Sequence, residues 1–345
     1  MNTLVFFYSY LKNRKQSVKI NNIFSSFMVL VSGIPQGSIL GPILFNIFIN
    51  DLIYFIKSDL SNFANDNTIS DAAKDVSDLI KQLESEANNA IEWFKNNLMI
   101  VNPDKFQAII IGKNLKGQET FYLKFDNNTV KASDEVTLLG IEIDNRLNFQ
   151  KHIHSIVKNA GGQLNFLVRN RKFLNYDAKK VVVESFILAN FNYCPLVWHF
   201  CPSESIKKLE RVQERAFRFL SGDYDSDYDQ LLTKLDKPTL EIRRLKLLAT
   251  EIFKTINDLN APYMKEVFVL NTRRAETGVD RLIVQSQISK KYGSYTLRSL
   301  GPKIWNKLPS DIKQSENLDI FKNLIKTWSG PKCCCGSCKY LGICS

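Results

Sequence analysis

Apolar residues between positions 74 and 98 recur every third or fourth place, at Val76, Leu79, Ile80, Leu83, Ala87, Ala90, Ile91, Phe94 and Leu98. That spacing matches the 3.6-residue helical period and predicts one long amphipathic helix, closed by Asn96-Asn97 and Asn102-Pro103. Residues 39–56 are almost continuously apolar, with Pro42 near the start, where a missing N–H costs little; they predict a largely buried helix fed by the turn SGIPQG. Beyond Asn148 the period stays helical: Ile153, Ile156, Val157, Ala160, Leu164, Leu167 and Val168 share a face despite Gly161-Gly162. Further helices are expected at 177–190, 204–220, 240–258 and 317–328, with turns at 271–280 and 292–303.

Alternating or β-rich stretches at 106–112, 121–125, 129–131 and 136–143 predict strands, with a turn at Asn127-Asn128. Residues 61–70, SNFANDNTIS, have the composition of a tight hairpin centred on Asn65-Asp66. The expected class is α+β, mixed to about residue 148 and mainly helical to about residue 258. No internal repeat interrupts that plan.

Charge adds a partner to this outline. The chain of 345 residues carries a net charge of +11, and docking Lys or Arg on phosphates releases condensed counterions, so a nucleic acid is the favoured polyanion. The bias is local. Lys12, Arg14, Lys15 and Lys19 stand without an acid in the first twenty residues, whereas Asp223, Asp225, Asp227, Asp229 and Asp236 invert the sign. Each such run taken alone reads as a solvated face. The longest apolar stretch, SILGPILFNIFI, is too short to span a bilayer, and no basic segment precedes the first apolar run as in a secretory signal. An intracellular protein, nuclear or cytoplasmic, without membrane association is expected.

Five of seven cysteines crowd into the last thirteen residues, unlike a secreted disulfide framework. Cys335-x-x-Cys338, with Cys334 and Cys344, could complete a tetrahedral Zn²⁺ site. The crowded spacing, with no His after His199, favours a reducible tail instead. His152 and His154 read as exposed helix-start residues, and Trp198, Trp305 and Trp328 as core.

One stretch is far more specific. Gly33-Ile34-Pro35-Gln36-Gly37-Ser38 is followed by Leu40-Gly41-Pro42, Leu44-Phe45 and Asn50-Asp51-Leu52. Two glycines and a proline let backbone amides approach a ligand, and Gln36 offers both a donor and an acceptor beside them. This order resembles motif B of the reverse transcriptases of LINE-type, non-LTR retrotransposons of the jockey-like group. Upstream, Arg14 and Gln16 stand where that family has Arg-x-Gln. Downstream, FANDNT resembles motif C, NPDKFQAIIIG resembles motif D with its Lys at Lys105, and LLGIEIDNRLNFQKHI resembles the primer-grip segment leading into the thumb. LERVQERAFRFLSG and RSLGPKIWNKLPSDIK follow the family's thumb and C-terminal pattern.

The resemblance implies a partial polymerase palm (helix, catalytic-type hairpin, long helix, strands), then a helical thumb and a C-terminal extension, acting on an RNA or DNA template–primer. It divides the chain into a palm at 1–112, primer-grip-like hairpins at 113–148, a thumb-like region at 149–222, a helical or irregular region at 223–330 and the Cys-rich tail at 331–345. It places Gly33, Pro35, Gln36 and Gly37 at the nucleotide, Lys105 near the leaving pyrophosphate, Leu139 and Gly140 at the primer, and Asp66 on Mg²⁺. Two-metal phosphoryl transfer needs hard carboxylate oxygens converging on both ions. This chain departs from that pattern. The strand bearing the motif A Asp has no counterpart, because the chain starts just upstream of motif B, and Asn65 occupies the position of the first motif C Asp. An inactive, N-terminally truncated polymerase remnant is therefore expected. The alternative is a non-catalytic nucleic-acid-binding protein that uses its basic thumb and C-terminal surface.

Overall fold

A computed structural model describes residues 2–112, 120–268 and 296–330. The chain divides into two units, Met1–Asp134 and Glu135–Ser345. The first begins with α1 (Thr3–Leu11), started by Asn2, whose side-chain carbonyl accepts from the Leu4 N–H at 3.1 Å. A nested pair of short ladders follows: β1 (Lys15–Gln16) with β4 (Met28–Val29), and inside it β2 (Lys19–Ile20) with β3 (Ile23–Phe24). Asn21 and Asn22 close the inner hairpin at φ +46° and +64°, left-handed values that asparagine tolerates.

The predicted apolar helix is α2 (Leu40–Ile49), with Pro42 in its first turn, continued by a 3₁₀ segment, Asn50–Tyr54. Next come the hairpin β5 (Asp59–Phe63) and β6 (Asp66–Ser70), then α3 (Val76–Asn96), capped by the Asp75 carboxylate on the Ser77 N–H at 2.8 Å. The ladder β7 (Tyr122–Phe125) with β8 (Asn128–Lys131) packs on α3. Two small cores hold this unit. Ile49, Leu52 and Ile56 meet Trp93 and Phe94 of α3, with Leu60 and Ile69 of the β5–β6 hairpin against them; Leu123 and Phe125 of β7 meet Ile91.

Polar side chains of α3 satisfy backbone donors that no strand reaches. Glu84 accepts from the Lys124 N–H and Asn88 from the Asp126 N–H, both at 2.6 Å, while buried Glu86 accepts from the Lys57 N–H at 2.7 Å. A helix thus takes the place of a neighbouring strand along β7 by accepting from its outward amides.

Three expectations need correction here. Residues 106–112 form no ladder; Ile110 is buried, and the Ala108 carbonyl accepts from the Ser133 N–H at 2.8 Å, but a strand requires a partner along its length. The β7–β8 turn is Asp126-Asn127 and not Asn127-Asn128, because Phe125 pairs with Asn128. The β5–β6 turn is likewise displaced by one residue, with Phe63 opposite Asp66, so that Ala64-Asn65 form the tip. Among the described residues the strands make five separate two-stranded ladders.

The second unit opens with the hairpin β9 (Glu135–Leu138) and β10 (Ile141–Asp144), then turns into α4 (Gln150–Arg169). Asp144 clamps that turn by accepting from the N–H groups of Arg146, Asn148 and Phe149 at 3.0, 3.1 and 2.5 Å. The expected helix at 177–190 is α5 (Tyr176–Val182) running into a π turn, Val183–Ile187, and a 3₁₀ segment, Leu188–Phe191. With α6 (Ser203–Ser221) these surround a core that includes Ile153, Ala160, Leu164, Ile187, Trp198, Leu209 and Phe217. The acidic run after α6 is partly structural, since Asp227 and Gln230 form a capping box at the start of α7 (Tyr228–Lys234) and Asp223 pairs with Lys234 at 2.8 Å.

A further core joins α8 (Leu240–Ile256) to the helices Leu297–Lys307 and Leu318–Thr327 through Leu248, Phe253, Ile304, Trp305 and Phe321. The expected turn at 292–303 is overturned over its described part, where residues 297–307 are helical and accommodate Pro302 inside the helix. The sequence pattern did not register that helix because Gly301 and Pro302 interrupt it; Gly301 lies so close to the Phe268 ring that no Cβ would fit. His152 is also buried, not exposed: it packs in the first turn of α4, and burial holds its imidazole below the usual range against the opposing charge of Glu142. His154 is exposed as expected, and Trp198, Trp305 and Trp328 are buried. The tail residues Cys334, Cys335, Cys338 and Cys344, and the expected turn at 271–280, lie outside the described residues.

A polar node sits inside this unit. The Arg244 side chain is buried over the Trp198 ring at 5.2 Å, and its Nε–H donates to His199 Nδ1 at 3.1 Å. Burial, reinforced by the Arg244 charge, lowers the His199 pKa to about 3, so the ring is a neutral acceptor. Burial raises Glu241 to about 7 and the Cys201 thiol to about 11, each opposed by the same guanidinium.

Candidate functional site

The turn preceding α2 is built by close backbone approach. Gly33 and Gly37 take φ +80° and +78°, where a Cβ is disfavoured. The Ser38 hydroxyl donates to the Pro35 carbonyl at 2.7 Å and accepts from the Gly41 N–H at 3.0 Å. Gly41 is buried, and a Cβ there would stand 2.9 Å from both the Pro35 oxygen and Ser38 Oγ. Arg14 fastens the other end, with Nη2 donating to the Gly33 carbonyl and Nε to the Leu11 carbonyl. Three residues that the sequence presents only as motif letters, Ser38, Gly41 and Arg14, therefore shape the turn. Gln36 itself is exposed, and Pro35 is half-buried.

Asn65 and Asp66 lie at the end of the β5–β6 hairpin. Ala64 carries the left-handed φ, +52°, that would suit Asn better, while Asn65 completes the turn and its carbonyl accepts from Asn67 Nδ2 at 3.3 Å. Asp66 begins β6 and is exposed. Lys105 ends a 3₁₀ turn, Pro103–Lys105, capped by the Asn102 side chain on the Asp104 N–H at 3.0 Å; its side chain is exposed too. No hydrogen bond or ion pair joins Gln36, Asp66 and Lys105. What they share is the core beneath them: Phe45 of α2, Leu60 and Ile69 of the hairpin, and Met99 and Val101 before Lys105 all pack on the cluster around Leu52 and Trp93.

Leu139 and Gly140 belong to the second unit. They form a two-residue turn with φ +47° and +80°, the sign pattern of a type I′ hairpin, unfavourable for Leu at the first position. The Tyr193 hydroxyl compensates by donating to the Leu139 carbonyl at 2.5 Å, and its ring lies 3.7 Å from where a Gly140 Cβ would be. Nothing in the sequence linked residues 54 positions apart, so Tyr193 escaped notice.

The hairpin turn provides poor ligands for a pair of Mg²⁺ ions. Asp66 supplies one carboxylate, Asn65 a neutral amide, and among the described residues no group of three or more His, Cys, Asp or Glu is placed to hold a metal. The donors present do not fit a two-metal centre. Among the described residues, no helix is long and apolar enough to cross a membrane.

Residues 3–143 match the family model described as reverse transcriptase (RNA-dependent DNA polymerase), which spans all the motifs above from Arg14 to Gly140. Among curated proteins, the chain is 23% identical over 222 residues to a probable RNA-directed DNA polymerase from transposon X-element of Drosophila melanogaster, covering 62% of this chain and 24% of that protein. It is 24% identical over 224 residues to the corresponding protein of transposon BS, covering 62% and 25%, and 21% identical over 225 residues to the RNA-directed DNA polymerase from mobile element jockey, covering 62% and 24%, both from the same fly. No solved structure matches. The matched stretch thus spans about a quarter of the length of these relatives. Residues 3–143 carry a reverse-transcriptase domain, and the chain is a relative of the polymerases of non-LTR, LINE-type retrotransposons.

Proposed function

We propose that this chain is a reverse-transcriptase derivative that holds an RNA or DNA template–primer but does not add nucleotides by itself. The observation that carries the reading is Asn65 in the hairpin turn beside Asp66. Its amide contributes a single neutral carbonyl where a carboxylate would contribute charge and two oxygens. Metal-assisted phosphoryl transfer relies on several kcal/mol of charge neutralisation, and one carboxylate cannot anchor both ions. In this reading the backbone at Gly33, Pro35 and Gly37, with Gln36, contacts the nucleotide position; Lys105 faces the pyrophosphate side; Leu139 and Gly140 support the primer; and Mg²⁺ is an ancestral cofactor without a productive site.

The test is primer extension by the full chain on a primed RNA with Mg²⁺, beside Asp66→Ala and Asn65→Asp. No product above the Asp66→Ala level is expected from the native chain. Incorporation clearly above that control would overturn the claim of inactivity. The second reading, a nucleic-acid-binding protein with no polymerase-type grip, draws on the charge of +11. It predicts that binding of a primed template survives replacement of Gln36 and of the Leu139-Gly140 turn.

A further inference from the structure

The second unit has a groove that none of the polymerase motifs accounts for. It lies between α8 and the helix Leu318–Thr327, encloses about 540 Å³, and is lined by Arg243, Lys246, Lys322 and Lys326, with Asp319 and Asn323. Four cations therefore face one carboxylate. Helical spacing explains the convergence: Arg243 and Lys246 are three apart on α8, and Lys322 and Lys326 are four apart on the facing helix, so each pair shares a face. Core residues beside them anchor both helices, since Leu245, Leu248, Ile252, Phe321 and Ile325 belong to the buried core between these helices and Ile325 also floors the groove. The cations are thus held on a rigid base.

Their hydrogen bonds leave most of their capacity open. Lys246 Nζ donates to the Lys326 carbonyl at 2.6 Å, and Lys326 Nζ to Asn323 Oδ1 at 3.1 Å, each using one of three ammonium protons. Glu184, the acid that acts electrostatically on Arg243, is itself engaged by Lys237 at 2.9 Å. Leu247 adds an apolar wall. Cations beside an apolar surface suit a strand in which phosphates alternate with sugars and bases.

We propose that the groove between α8 and the helix Leu318–Thr327 binds the phosphodiester backbone of a single nucleic-acid strand through Arg243, Lys246, Lys322 and Lys326. This deepens the reading that the chain holds nucleic acid and rests on it, but requires no palm chemistry.

Fluorescence anisotropy of the full chain with labelled single-stranded RNA and DNA of one sequence, across a salt series, tests the site. Lys322→Glu/Lys326→Glu is compared with Lys74→Glu/Lys81→Glu, which changes net charge equally at exposed positions of the other unit. Lys322→Gln/Lys326→Gln removes the two charges without reversing them, and a thermal melt checks the fold of each variant. The groove variants should bind about tenfold or more weakly, with a salt slope shallower by about one to two, while the control pair stays near the native chain. The RNA and DNA arms show whether the sugar matters; loss in either supports the site. Native binding with an unchanged groove variant overturns the groove while leaving the holding function standing. Equal weakening in the control pair, or displacement of the strand by polyglutamate as readily as by unlabelled strand, also overturns it. If the native chain binds neither strand at low salt, both the groove and the holding function fall.

Discussion

Trp198, Trp305 and Phe321 in the helical unit are fully buried, while Ile20, Ile23, Phe24, Phe27 and Met28 in the first unit lie open to solvent. Both stretches are rich in large apolar side chains, so composition does not separate them. Connectivity does. In α4, α6 and α8 residues three and four apart share a face, and consecutive helices bury those faces against one another. Ladders β1–β4 are two residues per strand, and a two-stranded hairpin that short has neither the length nor the second layer to cover its side chains. Sharing a chain does not distribute stability evenly: the helical unit carries the burial, and the polymerase motifs sit where burial is thin.

The largest test of that contrast is Trp305→Ala, which should destabilise the chain by about 3–5 kcal/mol in denaturant unfolding, against about 0.5 kcal/mol or less for Phe24→Ala. Comparable losses at the two sites would mean that the side chains of the β1–β4 ladders are covered after all. One tight spot in the first unit should break the pattern. Gly41→Ala forces a Cβ against Pro35 and Ser38 and should cost about 1–3 kcal/mol, read as earlier protease cleavage in 33–41 and a lower unfolding midpoint. Tyr193→Phe removes the hydroxyl that holds the Leu139-Gly140 turn and should cost about 1 kcal/mol, with faster amide exchange in β9–β10.

A further contrast concerns pH. Glu241, raised from 4.5 to about 7 by burial, contributes stability that is complete below pH 4.5 and lost as pH rises through 7. His199, lowered from 6.5 to about 3 by burial, contributes stability that is complete above pH 6.5 and lost as pH falls towards 3. Between pH 4.5 and 6.5 the two slopes oppose one another, so the pair adds little net slope there and the native profile keeps only the shallower rise from buried His152. Glu241→Gln leaves the His199 slope unopposed, and unfolding midpoints should then rise more steeply with pH over that window. A profile no steeper in the variant would mean that the node does not carry these shifted groups.

Long helices were legible because many positions vote for one period; α3 was expected at 74–98 and spans 76–96, and α6 was expected at 204–220 and spans 203–221. Hairpin tips were not. Both the Asn65-Asp66 and Asn127-Asn128 turns were set one residue late, because polar runs offer several turn-competent pairs and only the cross-strand ladder selects one. That single step has a chemical consequence: Asp66 is the first residue of a strand, not half of a turn. The motif letters around Gln36 were readable, yet the way Ser38, Gly41 and Arg14 close on one another was not, since it depends on backbone atoms that a one-letter code leaves out.

The order of the motifs, the helical periods and the Asn65 amide beside Asp66 follow from the amino-acid string alone, because each is a matter of residue type and local spacing. The three-dimensional packing was needed to bring Tyr193 to Leu139, Arg244 to His199, and the lysines of the helix Leu318–Thr327 across from α8. Those pairings join residues tens of positions apart, and close contacts at that separation arise only when the intervening chain folds back and its loop entropy is offset by a shared core.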